Sequence, residues 1–229
     1  QWLPQPEPRL QFRQSRLRKL WLLIGRGRGK VGTMRNLLLP LLAVLAALPV
    51  AAASDYRFDK VHSQVQFRVS HLGFSMSEGE FHDLDGGFRF DPDDWSKSAC
   101  DVRIGVASID LDDDAWNRTL LGERWFDAEH HPQMHYRCLQ VVREGEREGR
   151  IEGELSLRGI TRPVTLRLRF NRAGVHKYSL QQVAGFEAHA TLKRSDFGMT
   201  RFLPEVGDDI EIRLDIEGIR EGRKRDRKK

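Results

Sequence analysis

The sequence predicts an all-β fold of about eight antiparallel strands, with one short helix between two of them, closing as a barrel or a sandwich. Three observations carry this. From Tyr56 onward apolar residues recur with a period of two, the mark of half-buried strands. Turn-forming clusters punctuate the runs, as in DLDGG, DPDD, REGEREG and NRAG. Only residues 112–121, DDDAWNRTLL, read as helix, with acidic residues at the end where free N–H groups point outward. Strands with one apolar face must bury it, and about eight of them do so most economically by closure.

The elements follow in order. Val65, Phe67 and Val69 alternate with Gln64, Gln66 and Arg68, and weaker runs follow at 78–82 and 86–91. Val102, Ile104 and Val106 alternate with Asp101, Arg103 and Gly105 before the helix. After it come weaker runs at 134–142 and 150–157, then Val164, Leu166, Leu168 and Phe170 against Thr165, Arg167 and Arg169. A run at 184–193 precedes Ile210, Ile212, Leu214 and Ile216, which alternate with Glu211, Arg213 and Asp215. No internal repeat or second domain is apparent. An eight-stranded barrel can enclose one small ligand, and an interior that is apolar throughout would select a lipid-like one.

The N-terminal quarter is of another kind. From Met34, the sequence MRNLLLPLLAVLAALPVAAAS has one positive charge, an apolar run too short to span a bilayer, and an Ala-x-Ala ending. Residues 34–53 are therefore expected to be a cleavable export signal, with a mature chain from about Ser54 and a periplasmic destination. Residues 1–33 show no sustained period and are expected to be upstream sequence read as protein. Their GRGRGK follows no strand and opens no helix, so it fails the context test for a phosphate loop.

The chain carries a net charge of +5, but residues 54–219 hold 22 basic and 30 acidic residues, a net −8. The basic character belongs to residues 1–53 and to the tail at 220–229, which is expected to be disordered. A nucleic-acid partner is excluded on that distribution.

Candidate catalytic motifs are few. HHPQMH gathers His130, His131 and His135, but Pro132 and the following strand pattern argue against a helical metal-binding face. DLDDDAWNRTLLGE has the aspartates of a calcium loop but Asn117 where that loop needs glycine. No G-x-S-x-G elbow occurs, and both cysteines fall in strands. KRSDFGMTRF, with Arg194 and Asp196 two apart, reads equally as a pocket rim or as a strand end with an ion pair and a turn.

Six pieces in order resemble the YceI-like lipid-binding proteins of bacterial periplasms: YRFDKVHSQVQFRVSHLGFS, GEFHDLDGGFRFDP, CDVRIGVASIDL, LLGERWFDAEHHPQMHYRC, IEGELSLRGITRPVTL and LKRSDFGM. They span residues 56 to about 218. The resemblance implies an extended eight-stranded antiparallel barrel, lipocalin-like, holding a polyisoprenoid such as an isoprenoid quinone or its precursor. It implies a binding protein, not an enzyme, with no cofactor or metal, and in some members a link to stress or acid responses. Transient membrane contact and a monomer or homodimer are expected. One departure is Ile109-Asp110-Leu111-Asp112, where the family usually has a threonine after the strand ending in Ser-Ile or Ser-Val.

Inward phase and bulk then select the tunnel candidates: Phe67, Val69, Phe81, Phe88, Val102, Ile104, Met134, Tyr136, Leu166, Leu168 and Phe186. His71, Arg194 and Asp196 are candidates for the mouth, and Trp125 and Phe126 for a lid or for packing the helix down. Cys100 and Cys138 share the inward phase of Val102–Ile104 and Met134–Tyr136. If those strands pair across the helix the cysteines lie close, and a disulfide and two free thiols both stay open.

Overall fold

The computed structural model describes residues 53–222. The expectations for residues 1–33, for the leader apart from Ala53, and for the tail beyond Gly222 lie outside the described residues.

Eleven strand segments compose eight strands. β1 (Ser54–Phe58) and β2 (Gln64–His71) run in line along one long partner, β11 (Val206–Arg220), pairing Phe58 with Gly218 and Val65 with Leu214. β3 (Ser75–Phe81) and β4 (Leu84–Phe90) form the next strand, against β2 and β1. β5 (Ala99–Gly105) and the two-residue β6 (Ile109–Asp110) form the third, against β4 and β3. β7 (Gln133–Arg143), β8 (Glu148–Leu157), β9 (Ile160–Val175) and β10 (Gln182–Lys193) follow as antiparallel neighbours. β10 pairs with β11, and β11 returns to β1 and β2, so the barrel is closed. Closure removes the exposed edges that an open sheet would leave.

Two serines splice the interrupted strands. Where β1 gives way to β2, the Ser63 hydroxyl donates to the Glu217 carbonyl at 3.1 Å and accepts the Glu217 N–H at 3.2 Å, standing in for a ladder pair. At the β3–β4 break, the Ser108 hydroxyl accepts the N–H groups of His82 and Asp83 at 3.2 and 2.9 Å and donates to the Gly105 carbonyl at 2.6 Å. Each break thus keeps its backbone groups satisfied while the strand changes direction.

The helix α1 runs from Asp114 to Leu121, two residues inside the expected start. Asp113 is its cap, accepting the Trp116 N–H at 2.8 Å, while Asp112 takes a positive φ of 57° in the turn before it. Asn117 reaches back to Leu111 N–H and to Asp110, which fixes the helix to β6. α1 has no fully buried residue and lies across one end of the barrel.

The inner faces fill the interior with two apolar clusters. One, around Phe67, Phe81, Leu84, Val106, Met134 and Phe197, lies at the end that carries α1. The other, around Phe90, Trp95, Tyr136, Leu168 and Phe186, lies toward the opposite end. There Phe90 meets Phe186, Phe170 and Trp95 at ring separations of 4.9, 5.0 and 5.8 Å. Gly79 and Gly218 make room for this bulk: a Cβ at Gly79 would stand 2.6 Å from the Phe67 ring, and one at Gly218 would overlap Phe88.

Candidate functional site

Between these clusters lies a cavity of about 450 Å3 with walls almost wholly apolar. Phe67, Val69, His71, Phe81, Phe88, Val102, Ile104, Met134, Tyr136, Leu166, Leu168, Phe186 and Arg194 all line it, as do Cys100 and Cys138. Strand phase explains the apolar ones, since alternate side chains of a closed barrel have only the interior to enter.

Asp196 stands apart. The strand ends at Lys193 and a 3-10 turn takes over from Arg194 to Phe197, so residues two apart no longer share a face. Arg194 and Phe197 turn inward and Asp196 is exposed. Of the two mouth candidates in this segment Arg194 lines the cavity and Asp196 does not, and the alternative of an ion pair between them is not formed. Asp208 instead accepts both the backbone N–H and the hydroxyl of Ser195, at 2.9 and 2.8 Å.

Arg194 is 2% exposed, and its guanidinium donates to three backbone carbonyls: Gly207 from Nε at 2.8 Å, Met199 from Nη1 at 2.6 Å and Val206 from Nη2 at 2.8 Å. It holds the 199–207 segment in place at the cavity end. Burial pushes its pKa down, with the Asp208 carboxylate partly offsetting this. The same guanidinium lies 5.4 Å from the Trp125 ring centre.

Tyr136 sits in the wall between the two clusters. Its hydroxyl donates to the Val164 carbonyl at 3.0 Å, its ring packs onto Gly153, and burial raises its pKa. A hydroxyl with its proton committed to a backbone carbonyl presents no acid to the cavity.

Both lid candidates line the cavity. After α1 the chain folds back on the helix: Phe126 N–H reaches the Leu120 carbonyl and Ala128 N–H the Leu121 carbonyl. This brings Phe126 edge-on to Phe81 at 5.6 Å and sets Trp125 6.3 Å from Phe202. The two aromatics thus pack the helix down and close part of the cavity end.

Cys100 and Cys138 form a disulfide with their Cα atoms 5.1 Å apart. They lie at the end of the β5–β7 ladder, one step beyond the Asp101–Arg137 pair.

Sequence reasoning left out several cavity residues. Ile210, Ile212, Leu214 and Ile216, the inner face of β11, were recognisable by the same alternation. Trp116, Leu120, Met199 and Phe202 come from α1 and from a loop, where no strand period reports which way a side chain points, and Val206 is the first residue of β11.

The histidines of the HHPQMH segment do have carboxylate neighbours. His130 pairs with Asp127 at 2.8 Å and His135 with Asp101 at 3.0 Å, supplied by the preceding turn and the neighbouring strand. Among the described residues, the group whose ligand atoms converge as a metal site would require is elsewhere, at Asp59, His62 and Glu217, within 4.8 Å of one another on the outer surface. The hydrogen bond and charge of Asp59, whose carboxylate lies 3.0 Å from His62 Nδ1, raise the His62 pKa.

Comparisons with known proteins agree with this architecture. The model of the YceI-like domain matches residues 56–218. A UPF0312 protein of Serratia proteamaculans is 36% identical over 180 residues, covering 78% of this chain and 93% of that protein. A UPF0312 protein of Pseudomonas aeruginosa is 34% identical over 173 residues, covering 75% of this chain and 90% of its own. Among solved structures, Burkholderia cenocepacia BcnA is similar with a TM-score of 0.64 and 24% identity, over 70% of this chain and 98% of that one. A polyisoprenoid binding domain from Saccharophagus degradans is similar with a TM-score of 0.55 and 14% identity, over 72% of this chain and 98% of its own. At these identities the two structures bear on the fold.

Proposed function

The chain belongs to the YceI-like family, and from that premise we propose that it holds a polyisoprenoid-type amphiphile, such as an isoprenoid quinone or its precursor, in the barrel cavity for carriage or storage in the periplasm. One observation carries the reading: a closed barrel encloses about 450 Å3 with apolar walls, within the ~300–1,000 Å3 of small-molecule sites. Removing a prenyl chain from water gains about 25 cal/mol per Å2 of buried apolar area, so several hundred Å2 would supply on the order of 10 kcal/mol before ordering costs. No charged group is needed inside, and an unpaired one would be costly. The description of the similar Saccharophagus degradans protein as a polyisoprenoid binding domain supports the ligand class, and the leader-like segment at 34–53 supports the compartment.

Binding is favoured over turnover because two of the polar groups that line the cavity are committed to the fold: Tyr136 to Val164, and Arg194 to three carbonyls. The test is native mass spectrometry of the purified protein followed by solvent extraction. One prenyl lipid per chain is the expected result, and its reproducible absence under mild conditions would overturn the reading. A catalytic alternative would show itself as turnover of an isoprenoid that alanine at His71, Tyr136 or Asp196 abolishes.

A further inference from the structure

We infer that the rim of the cavity at the α1 end is a docking surface for a phospholipid bilayer, on which the protein rests while lipid passes between membrane and barrel. The inference rests on the lipid-holding reading above and adds where the lipid enters and what the entrance touches.

Three segments build the rim. The β2–β3 turn carries Leu72 and Phe74, α1 carries Trp116, and the 199–206 segment carries Phe202. The turn is tied to the 199–206 segment, where Leu72 N–H donates to the Glu205 carbonyl at 2.7 Å, that segment is closed on itself by Val206 N–H to the Phe202 carbonyl at 2.7 Å, and the His71 ring at the end of β2 lies 6.3 Å from the Trp116 ring of α1. Phe74 is 90% exposed, Phe202 53%, Leu72 50% and Trp116 47%. Trp116 and Phe202 also line the cavity, so apolar surface continues from the interior wall onto the rim.

Large apolar side chains on loop tips, set around the opening of an apolar interior, match the interfacial layer of a bilayer, where aromatic rings sit at headgroup level. The backbone adds weight. Leu72 and Phe202 hold positive φ angles of 54° and 56°, where glycine or asparagine would sit with less strain, yet each presents an apolar side chain. Arg201 stacks on Phe202, its guanidinium 4.2 Å from the ring centre, which puts a cation where lipid phosphates would lie. The acidic start of α1 is nearby, so attraction rests on apolar side chains more than on charge, and docking should persist in about 0.5 M salt.

A second copy of the chain is the rival occupant. At ~150–250 Å2 for each large side chain, the exposed fractions amount to about 500 Å2, short of the ~800 Å2 per partner that a stable dimer buries. That area suits a reversible hold on a membrane.

The experiment pairs two readouts on the full chain and on Leu72→Asn/Phe74→Ser, neither of which lines the cavity. Asparagine also suits the left-handed backbone at 72, so the turn is kept. Flotation with vesicles of phosphatidylcholine containing a quarter phosphatidylglycerol reads docking. Uptake of NBD-labelled geranylgeraniol from a vesicle-free dispersion reads the cavity. The expected result is vesicle partitioning reduced about tenfold in the variant, with uptake of the dispersed probe unchanged. Equal flotation of the two proteins, or a wild-type dimer that the variant turns into a monomer, would overturn the docking surface. Failure of both proteins to take up the dispersed probe would instead overturn the lipid-holding reading, and flotation would still decide the rim.

Discussion

Tyr136 shows how a polar atom is tolerated in an apolar wall. Its ring covers Gly153 and its hydroxyl meets the Val164 carbonyl, so the group is satisfied without a ligand. Tyr136→Phe is expected to cost about 1 kcal/mol in chemical unfolding and to leave lipid occupancy unchanged. Arg194 is the larger commitment, because three carbonyls of one segment converge on it. Arg194→Met should destabilise by about 3 kcal/mol and raise amide exchange in residues 199–207 before the rest of the barrel. The surface pairs Asp59–His62 and Asp127–His130 give a pH signature. Their histidine pKa values lie above the usual 6.5, so the stability they contribute is present below pH 6.5 and is lost as pH rises through the raised values. Asp127 is held below 3.8, chiefly by the His130 hydrogen bond; at Asp59, burial opposes the shift and the bonds from His62 and Val61 outweigh it. The contribution of these carboxylates is present above 3.8 and is lost as pH falls through the depressed values. Melting temperature should therefore decline from pH 6 to pH 8, and Asp59→Asn/Asp127→Asn should flatten that decline.

At the scale of elements, the disulfide and the spliced strands carry the same lesson: continuity of the barrel is maintained across weak points. The cystine closes a loop with a sequence separation of 38 residues that includes α1 and the segment folded beneath it. Chain-entropy reasoning gives about 4 kcal/mol for such a loop. Cys100→Ser/Cys138→Ser should lower unfolding free energy by up to that amount, and reduction of the wild type should reproduce the change. Ser63 and Ser108 each satisfy two or more backbone groups where a strand breaks. α1 depends on its cap, and Asp113→Ala should cost about 1 kcal/mol and free Trp116 at the rim, visible as a red shift in tryptophan emission.

At the scale of the whole molecule, the barrel separates a charged exterior from an almost wholly apolar cavity whose buried Arg194 is spent on backbone carbonyls, and binding draws on that difference. A ligand that binds only the folded barrel raises its melting temperature, by about 2.7 kcal/mol of stability at a hundredfold excess over Kd. Ala188, buried in the cavity wall on β10, is the place to test this. Ala188→Phe should leave a folded protein, with a strain cost of ~1–3 kcal/mol, and reduce the extracted prenyl lipid severalfold. Unchanged lipid in that variant would mean the ligand lies elsewhere.

The sequence determined the all-β class of the fold and part of the apolar wall, because a period of two fixes which residues of a strand share a face. Phe67, Val102 and Leu168 needed no other information. The charge distribution is likewise a property of sequence alone. Only the tertiary structure decided the cavity end. Whether Arg194 and Asp196 shared a face depended on where β10 stopped and a 3-10 turn began, and nothing in the alternation marks that residue. Whether Cys100 met Cys138 depended on a ladder register formed across an intervening helix. Trp116 reached the rim on α1 and Phe202 in the 199–206 segment, and neither element carries a strand alternation that reports which way its side chains turn.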